Sequence, residues 1–284
     1  MKGHLKNYGA LIFAGVCFGT TGTAQALGPK GSSPLVVGAA RLLLGSIFLW
    51  IIHITLKTHT AKIKSADLLL GGVAVALYQI SFFSAVRSTG VAVGTLTAIG
   101  SAPALTGILG YLINKEVPSK RWFSATILTT IGIVFLTGAK GFSNFNGAGV
   151  LLALGAGASY SLFAIASKRA MNSGASFTEA MHKIFGLGAI LLIPFFFIGK
   201  NQFLTTTSGI EMALWLGLVP TAIAYTSYGY GLKNIKVATA STLILAEPAT
   251  ATLLAAIVLG ESLNGYSWLG VGIVVIGLVY LSRE

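Results

Sequence analysis

Thr97-Ala98-Ile99-Gly100-Ser101-Ala102-Pro103-Ala104 and Thr242-Leu243-Ile244-Leu245-Ala246-Glu247-Pro248-Ala249 are two versions of one segment, 145 positions apart. Thr, Ile, Pro and Ala repeat in register, and the match runs outward from them. At the same offset, residues 91–136 align with 236–281, pairing Glu116 with Glu261, Gly132 with Gly277 and Leu136 with Leu281. Upstream, with small gaps, Gly71 pairs with Gly217 and Arg87 with Lys233. At an offset of 142, Gly15 pairs with Gly157, Phe18 with Tyr160 and Arg41 with Lys183. The chain therefore reads as two copies of one unit, 1–140 and 147–284.

The composition sets the solvent of that unit. Of 284 residues, 54% are hydrophobic and 9% charged, and mean hydropathy is +0.82. A soluble domain carries roughly a quarter charged residues, so a soluble enzyme and a disordered chain are both excluded. A bilayer core of ~30 Å takes about 20 mostly apolar residues as a helix. Ten stretches meet this: 8–27, 34–56, 66–87, 90–113, 121–138, 147–169, 176–198, 209–231, 235–259 and 265–281. Only helices or closed barrels satisfy the backbone in lipid, and runs such as Leu253–Leu259 lack the alternation of a barrel strand. The expected fold is all-α and integral to the membrane, with ten transmembrane helices as two inverted five-helix repeats. Lys2, Lys6 and Ala24-Gln25-Ala26 imitate a cleavable signal peptide. The apolar run is long for that, and the repeat needs this helix.

Lys and Arg set the orientation. With a cytoplasmic N-terminus, 13 of them fall inside: Lys2, Lys6, Lys57, Lys62, Lys64, Lys115, Lys120, Arg121, Lys168, Arg169, Lys233, Lys236 and Arg283. Four fall outside: Lys30, Arg87, Lys140 and Lys200. Both termini are expected in the cytoplasm, in a multi-pass protein of the cell membrane. The net charge of +12 is thus a topology signal, and no nucleic-acid partner is expected. Five spans per unit is an odd number, so the copies lie inverted. The basic loop Lys115-Glu116-Val117-Pro118-Ser119-Lys120-Arg121 faces a counterpart, Gly260-Glu261-Ser262-Leu263-Asn264-Gly265-Tyr266, that has no basic residue. Inverted repeats characterise secondary transporters.

The segment Ala92–Pro103 with the Glu116 loop, the segment Thr239–Pro248 with the Gly260-Glu261 ending, and the glycines at 132 and 277 resemble the EamA-type transporters of the drug/metabolite transporter superfamily. The resemblance covers nearly the whole chain. It implies a central cavity lined by the first four helices of each half, with the fifth and tenth helices peripheral. It also implies a metabolite substrate, often an amino acid leaving the cell.

Candidate site residues are polar or aromatic groups placed mid-span, since each ionisable group there is costly. Arg41 lies about two turns into the second span and offers a cationic site for a carboxylate. Lys183 is similarly deep, but Glu179 one turn earlier can pair with it. Glu247, directly before Pro248, is a candidate for a proton or a substrate ammonium; the alternative is a neutral Glu bonded to a neighbouring helix. Pro103 and Pro248 are matched hinge candidates, Pro248 freeing the carbonyl of Ile244. Gln79 is mid-span, with Tyr225 as its counterpart. Tyr78 and Phe82 share a face, as do Tyr225 and Tyr228. With Tyr160 and Gln25, and with Thr20 and Thr21 adding polarity, these suggest an amphipathic pocket for a small organic solute; plain packing is the alternative for the phenylalanines. Glu116 and Glu261 are expected to cap the helix that follows each.

The chain has no G-x-x-x-x-G-K-[ST], no G-x-S-x-G, and no His or Cys cluster at ligand spacing; Cys17 is the single cysteine. No cofactor and no metal are expected. The expected function is secondary transport of a small polar or amphipathic metabolite, with export of an amino acid or related compound by alternating access. A lipid-acting membrane enzyme would need clustered acids or a nucleophile, and the seven acids are scattered. A passive channel would favour pore-lining rings and an oligomer; the sequence shows no sign of either.

Overall fold

The structure, a computed structural model, describes residues 2–58, 61–138, 146–198 and 201–283. Lys140 and Lys200, two of the four bases assigned to the outside, lie outside the described residues. The described chain is helical, with no strand. The helices are α1 (Lys2–Leu27), α2 (Pro34–Thr55), α3 (Ser65–Gly90), α4 (Val93–Asn114), α5 (Lys120–Gly138), α6 (Gly147–Asn172), α7 (Phe177–Ile198), α8 (Thr207–Leu232), α9 (Val237–Leu259) and α10 (Gly265–Ser282). Among the described residues, nine are long and apolar enough to cross a membrane; α5 is not one of them.

Local chemistry sets the ends. Pro34 opens α2, where its missing N–H is harmless. Asn146, Ser176, Thr206 and Asn264 cap α6, α7, α8 and α10 through their side-chain oxygens. The joint between α3 and α4 is Gly90, at φ 80° and ψ 162°, a conformation reserved for glycine.

Three spans are less regular than the sequence suggests. A turn at Ile193 interrupts α7 just before Pro194, whose missing N–H breaks the helical hydrogen-bond ladder there. In α8, residues Leu218–Ile223 widen into a π-helical turn. Pro220 has no N–H for the Leu216 carbonyl, and Thr221 Oγ1 donates to it instead at 2.7 Å. In α9, regular helix stops at Leu243 and resumes at Ala246. Pro248 cannot bond Ile244 O, which accepts from Glu247 N at 2.8 Å.

Glu116 caps a different helix from the one expected. Its Oε2 accepts from the Val237 N–H at 2.9 Å, at the start of α9. The following helix, α5, is served by Ser119 Oγ, which accepts from Trp122 N. Close contacts across glycines join the helices: α1 rests on α9 through Gly15 and Gly19, and α6 on α4 through Gly157. Helices α5 and α10 pack on each other through Gly132, Gly270 and Gly277, at the margin of the bundle.

Candidate functional site

At mid-bundle, α2, α3, α6, α7 and α8 converge on a cavity walled by Arg41, Val75, Tyr78, Gln79, Tyr160, Phe163, Phe185 and Tyr225. A second cavity adjoins it, sharing Tyr78 and Tyr160 and adding Ala98, Ile99, Ala102, Ser241, Ile244 and Glu247 from α4 and α9. Each holds about 30 Å³. That is room for a water or two and too little for a metabolite, so the chamber must widen to take one. Both halves build its wall; α5 and α10 add nothing to it.

Arg41 is held by the irregular turn of α8. Its Nε donates to Thr221 Oγ1 and its Nη2 to Pro220 O, both at 2.9 Å. The π-turn thus presents two acceptors to the guanidinium across 180 residues of sequence, and functional sites often carry such bulges. Arg41 is within electrostatic reach of Glu247, and both act on Tyr78 and Tyr225. One basic and one acidic side chain thus line adjoining cavities that share Tyr78 and Tyr160.

The aromatic wall is continuous. Tyr225 packs against Phe18, Phe163 and Phe185, with centroids 4.7, 5.5 and 4.2 Å away. The Tyr160 hydroxyl donates to that of Tyr228 at 3.3 Å. Gln79 is only 5% exposed, yet none of the described hydrogen bonds uses its amide, although it lines the cavity. Its amide faces the cavity, where a ligand in the chamber could hydrogen-bond it.

Arg41, Tyr78, Gln79, Tyr160, Tyr225 and Glu247 are thus brought together, as their mid-span positions suggest. Tyr228 is fully buried behind Tyr160. Phe82 stacks on Tyr78 at 5.6 Å but lines neither cavity. Gln25 lies at one end of the bundle, in a furrow with Lys30 and Pro34. Phe163, Phe185 and Ser241 are wall residues the sequence did not single out; Phe163 was legible as one turn from Tyr160. Pro103 and Pro248 are buried beside the chamber without lining it. Lys183 binds Glu179 at 2.7 Å, and Glu179 Oε2 also accepts from Ala61 N. That pairing takes Lys183 away from the chamber.

A family model described as the EamA-like transporter family matches residues 5–138 and again 147–283. The uncharacterized transporter YwfM of Bacillus subtilis (strain 168) is 39% identical over 99% of this chain and 95% of its own length. The threonine/homoserine exporter RhtA of Escherichia coli (strain K12) is 27% identical over 90% and 84%. A solved crystal structure superposes with a TM-score of 0.84 at 18% identity, covering 99% of this chain and 98% of that one. This last is a likeness of fold alone.

Proposed function

We propose that this chain, which belongs to the EamA-like transporter family, exports an amino acid or a closely related compound through the chamber between its halves. That it is a multi-pass membrane transporter follows from the family and from the nine spanning-length helices. The proposal adds the substrate class, the site and the mode of transport. Arg41 takes the carboxylate and Glu247 the ammonium, while Gln79, Tyr78 and Tyr225 supply further polar contacts; Tyr160 closes the wall, with Tyr228 behind it. Helix α5 serves as a tenth span, and the two halves are inverted repeats that exchange conformations. Both termini lie in the cytoplasm.

The observation that carries this reading is the Gln79 amide, which lines the same cavity as Arg41 with no described hydrogen bond, beside a second cavity lined by Glu247. The relative named as a threonine/homoserine exporter supports the substrate class. Counterflow in proteoliposomes across a panel of amino acids and amines tests it. Neutral amino acids are expected to exchange, and simple amines to fail for want of a carboxylate. Gln79→Leu and Tyr225→Phe should each weaken substrate affinity roughly five- to 150-fold while melting temperature moves little. If no amino acid exchanges, the substrate class is wrong. If both variants transport as wild type, the site is elsewhere.

A further inference from the structure

At the end of the molecule carrying the α1–α2 loop, α1 and α9 part company. A Cβ at Gly19 would lie 2.7 Å from Thr250 Cβ and 2.8 Å from Glu247 O; at Gly22 it would meet nothing within 4 Å. Helix α8 stands across the resulting gap, leaving a cleft of about 380 Å³, within the range of ligand pockets.

Each helix contributes one stripe. Ala24 and Leu27 come from α1, Leu254 and Val258 from α9, and Trp215 and Glu211 from α8. The Trp215 indole donates to Thr20 Oγ1 at 3.2 Å, which fixes the ring as a wall. From Thr20 to Leu27 is seven residues, about 10 Å of depth at 1.5 Å per residue. Leu27, Trp215 and Val258 are 63%, 48% and 48% exposed, so the cleft opens sideways to the acyl chains of one leaflet.

Its mouth is charged. Glu211 stands one turn above Trp215 on the same face of α8, and no described residue forms an ion pair with it. The adjoining furrow, which shares Gly28 and Met212 with the cleft, holds Lys30, likewise without a described ion pair. An apolar slot thus ends between an acidic and a basic side chain that no described residue pairs.

We propose that this cleft binds an ethanolamine phospholipid of that leaflet, one acyl chain in the slot, its phosphate toward Lys30 and its ammonium toward Glu211. An ethanolamine ammonium donates hydrogen bonds that a choline cannot, and a glycerol headgroup has no cation for Glu211. The proposal is independent of the transported substrate and of the orientation in the membrane.

The test uses the full chain purified in detergent, with phosphatidylethanolamine, phosphatidylcholine or phosphatidylglycerol of identical chains added. Retained lipid is counted by native mass spectrometry, and melting temperature is followed in parallel. Phosphatidylethanolamine should be retained over phosphatidylcholine by about two- to fivefold, the scale of one exposed ion pair, and should raise the melting temperature most. Glu211→Gln, a conservative surface change, should bring the two lipids level. Lys30→Gln should lower retention of all three. Equal retention of phosphatidylethanolamine and phosphatidylcholine by the wild type overturns the proposal, as does a preference that survives Glu211→Gln.

Discussion

The seam between α1 and α9 and the seam between α6 and α4 are built alike at mid-bundle, each around a closely packed glycine, and differ at their ends. A Cβ on Gly15 would meet Ala246 Cβ at 3.0 Å and Ile244 O at 3.1 Å; on the matched Gly157 it would meet Ser101 Oγ at 2.7 Å and Ala98 O at 2.9 Å. One turn on, Gly19 rests against Glu247 and Thr250, and the matched Ser161 bonds Thr106 at 2.8 Å. Beyond that, α1 opens, with Gly22, Ala26 and Leu27 exposed. The corresponding turns of α6 are shut: Ala164, Ile165 and Ser167 are fully buried. Lys168 sits at this closed end. Its Nζ donates to Leu232 O, Lys233 O and Ile235 O at 2.8, 2.9 and 3.0 Å, tying α6 to the end of α8. The residue matched to Lys168 at an offset of 142 is Ala26, which can tie nothing. The repeat supplies the seam, and Lys168 adds a tie from α6 to the end of α8 that α1 has no residue to make.

The largest effect is therefore expected at Lys168. Hydrogen bonds from a charged donor are worth about 1.5–3 kcal/mol, and a cation suits a helix C-terminus. Counting only one such bond, because water compensates the rest, Lys168→Met should favour opening of this end roughly ten- to 150-fold. A cysteine at Ser167, in a Cys17→Ala background, reports the opening through its rate of reaction with a thiol reagent. Lys168→Arg should largely keep the slow rate. A rate unchanged by Lys168→Met would remove the latch and leave the contrast between the two ends unexplained.

The next effect tests both seams, through one closely packed glycine from each. Gly19→Ala places a methyl 2.8 Å from Glu247 O, and Gly157→Ala places one 2.9 Å from Ala98 O. Backbone cannot yield as a flexible side chain does, so each should cost about 1–3 kcal/mol, read as unfolding in mixed micelles. A cost at one glycine and none at the other would show that the two seams are not equivalent.

These seams also mark how far the sequence could be read. Apolar length, proline and glycine gave the helix positions, and the 142 and 145 offsets paired Gly15 with Gly157 before any contact was known. What stayed hidden is long-range. Nothing near Arg41 announces that its guanidinium ends on Pro220 and Thr221. Nothing near Glu116 announces that it reaches past α5 to Val237, because capping rules describe neighbours in sequence. Lys168 read as one more positive charge on the cytoplasmic side. For the chamber, mid-span position picked out Gln79, Tyr225 and Glu247, whereas Gln25 was chosen by residue type and Phe82 by its spacing from Tyr78. Residue type does not say which way a helix is turned.

The matched prolines should respond unequally. Helix α4 runs unbroken through Pro103, whereas α9 breaks at Ile244–Leu245 ahead of Pro248. Pro248→Ala restores an N–H that can reach Ile244 O and lets α9 straighten. On the proposed hinge role, it should slow transport several-fold with substrate affinity kept, and Pro103→Ala should slow it less. The double variant should be no slower than the sum of the two. Equal, negligible effects in counterflow would take the hinge away from both.

The smallest effect is the most discriminating, because its sign differs from that of its neighbour. Gly22 lies three residues from Gly19 on the same helix, and a Cβ there meets nothing within 4 Å. Alanine at a helical glycine gains up to about 1 kcal/mol of helix propensity. With no clash to oppose it, Gly22→Ala should raise stability by some tenths of a kcal/mol in the micelle assay in which Gly19→Ala lowers it. The pair then locates, to within one turn, where α1 leaves α9. If Gly22→Ala instead costs as much as Gly19→Ala, α1 and α9 touch at that level in solution. The open end would then be as closed as the Lys168 end, and the asymmetry between the two seams would be lost.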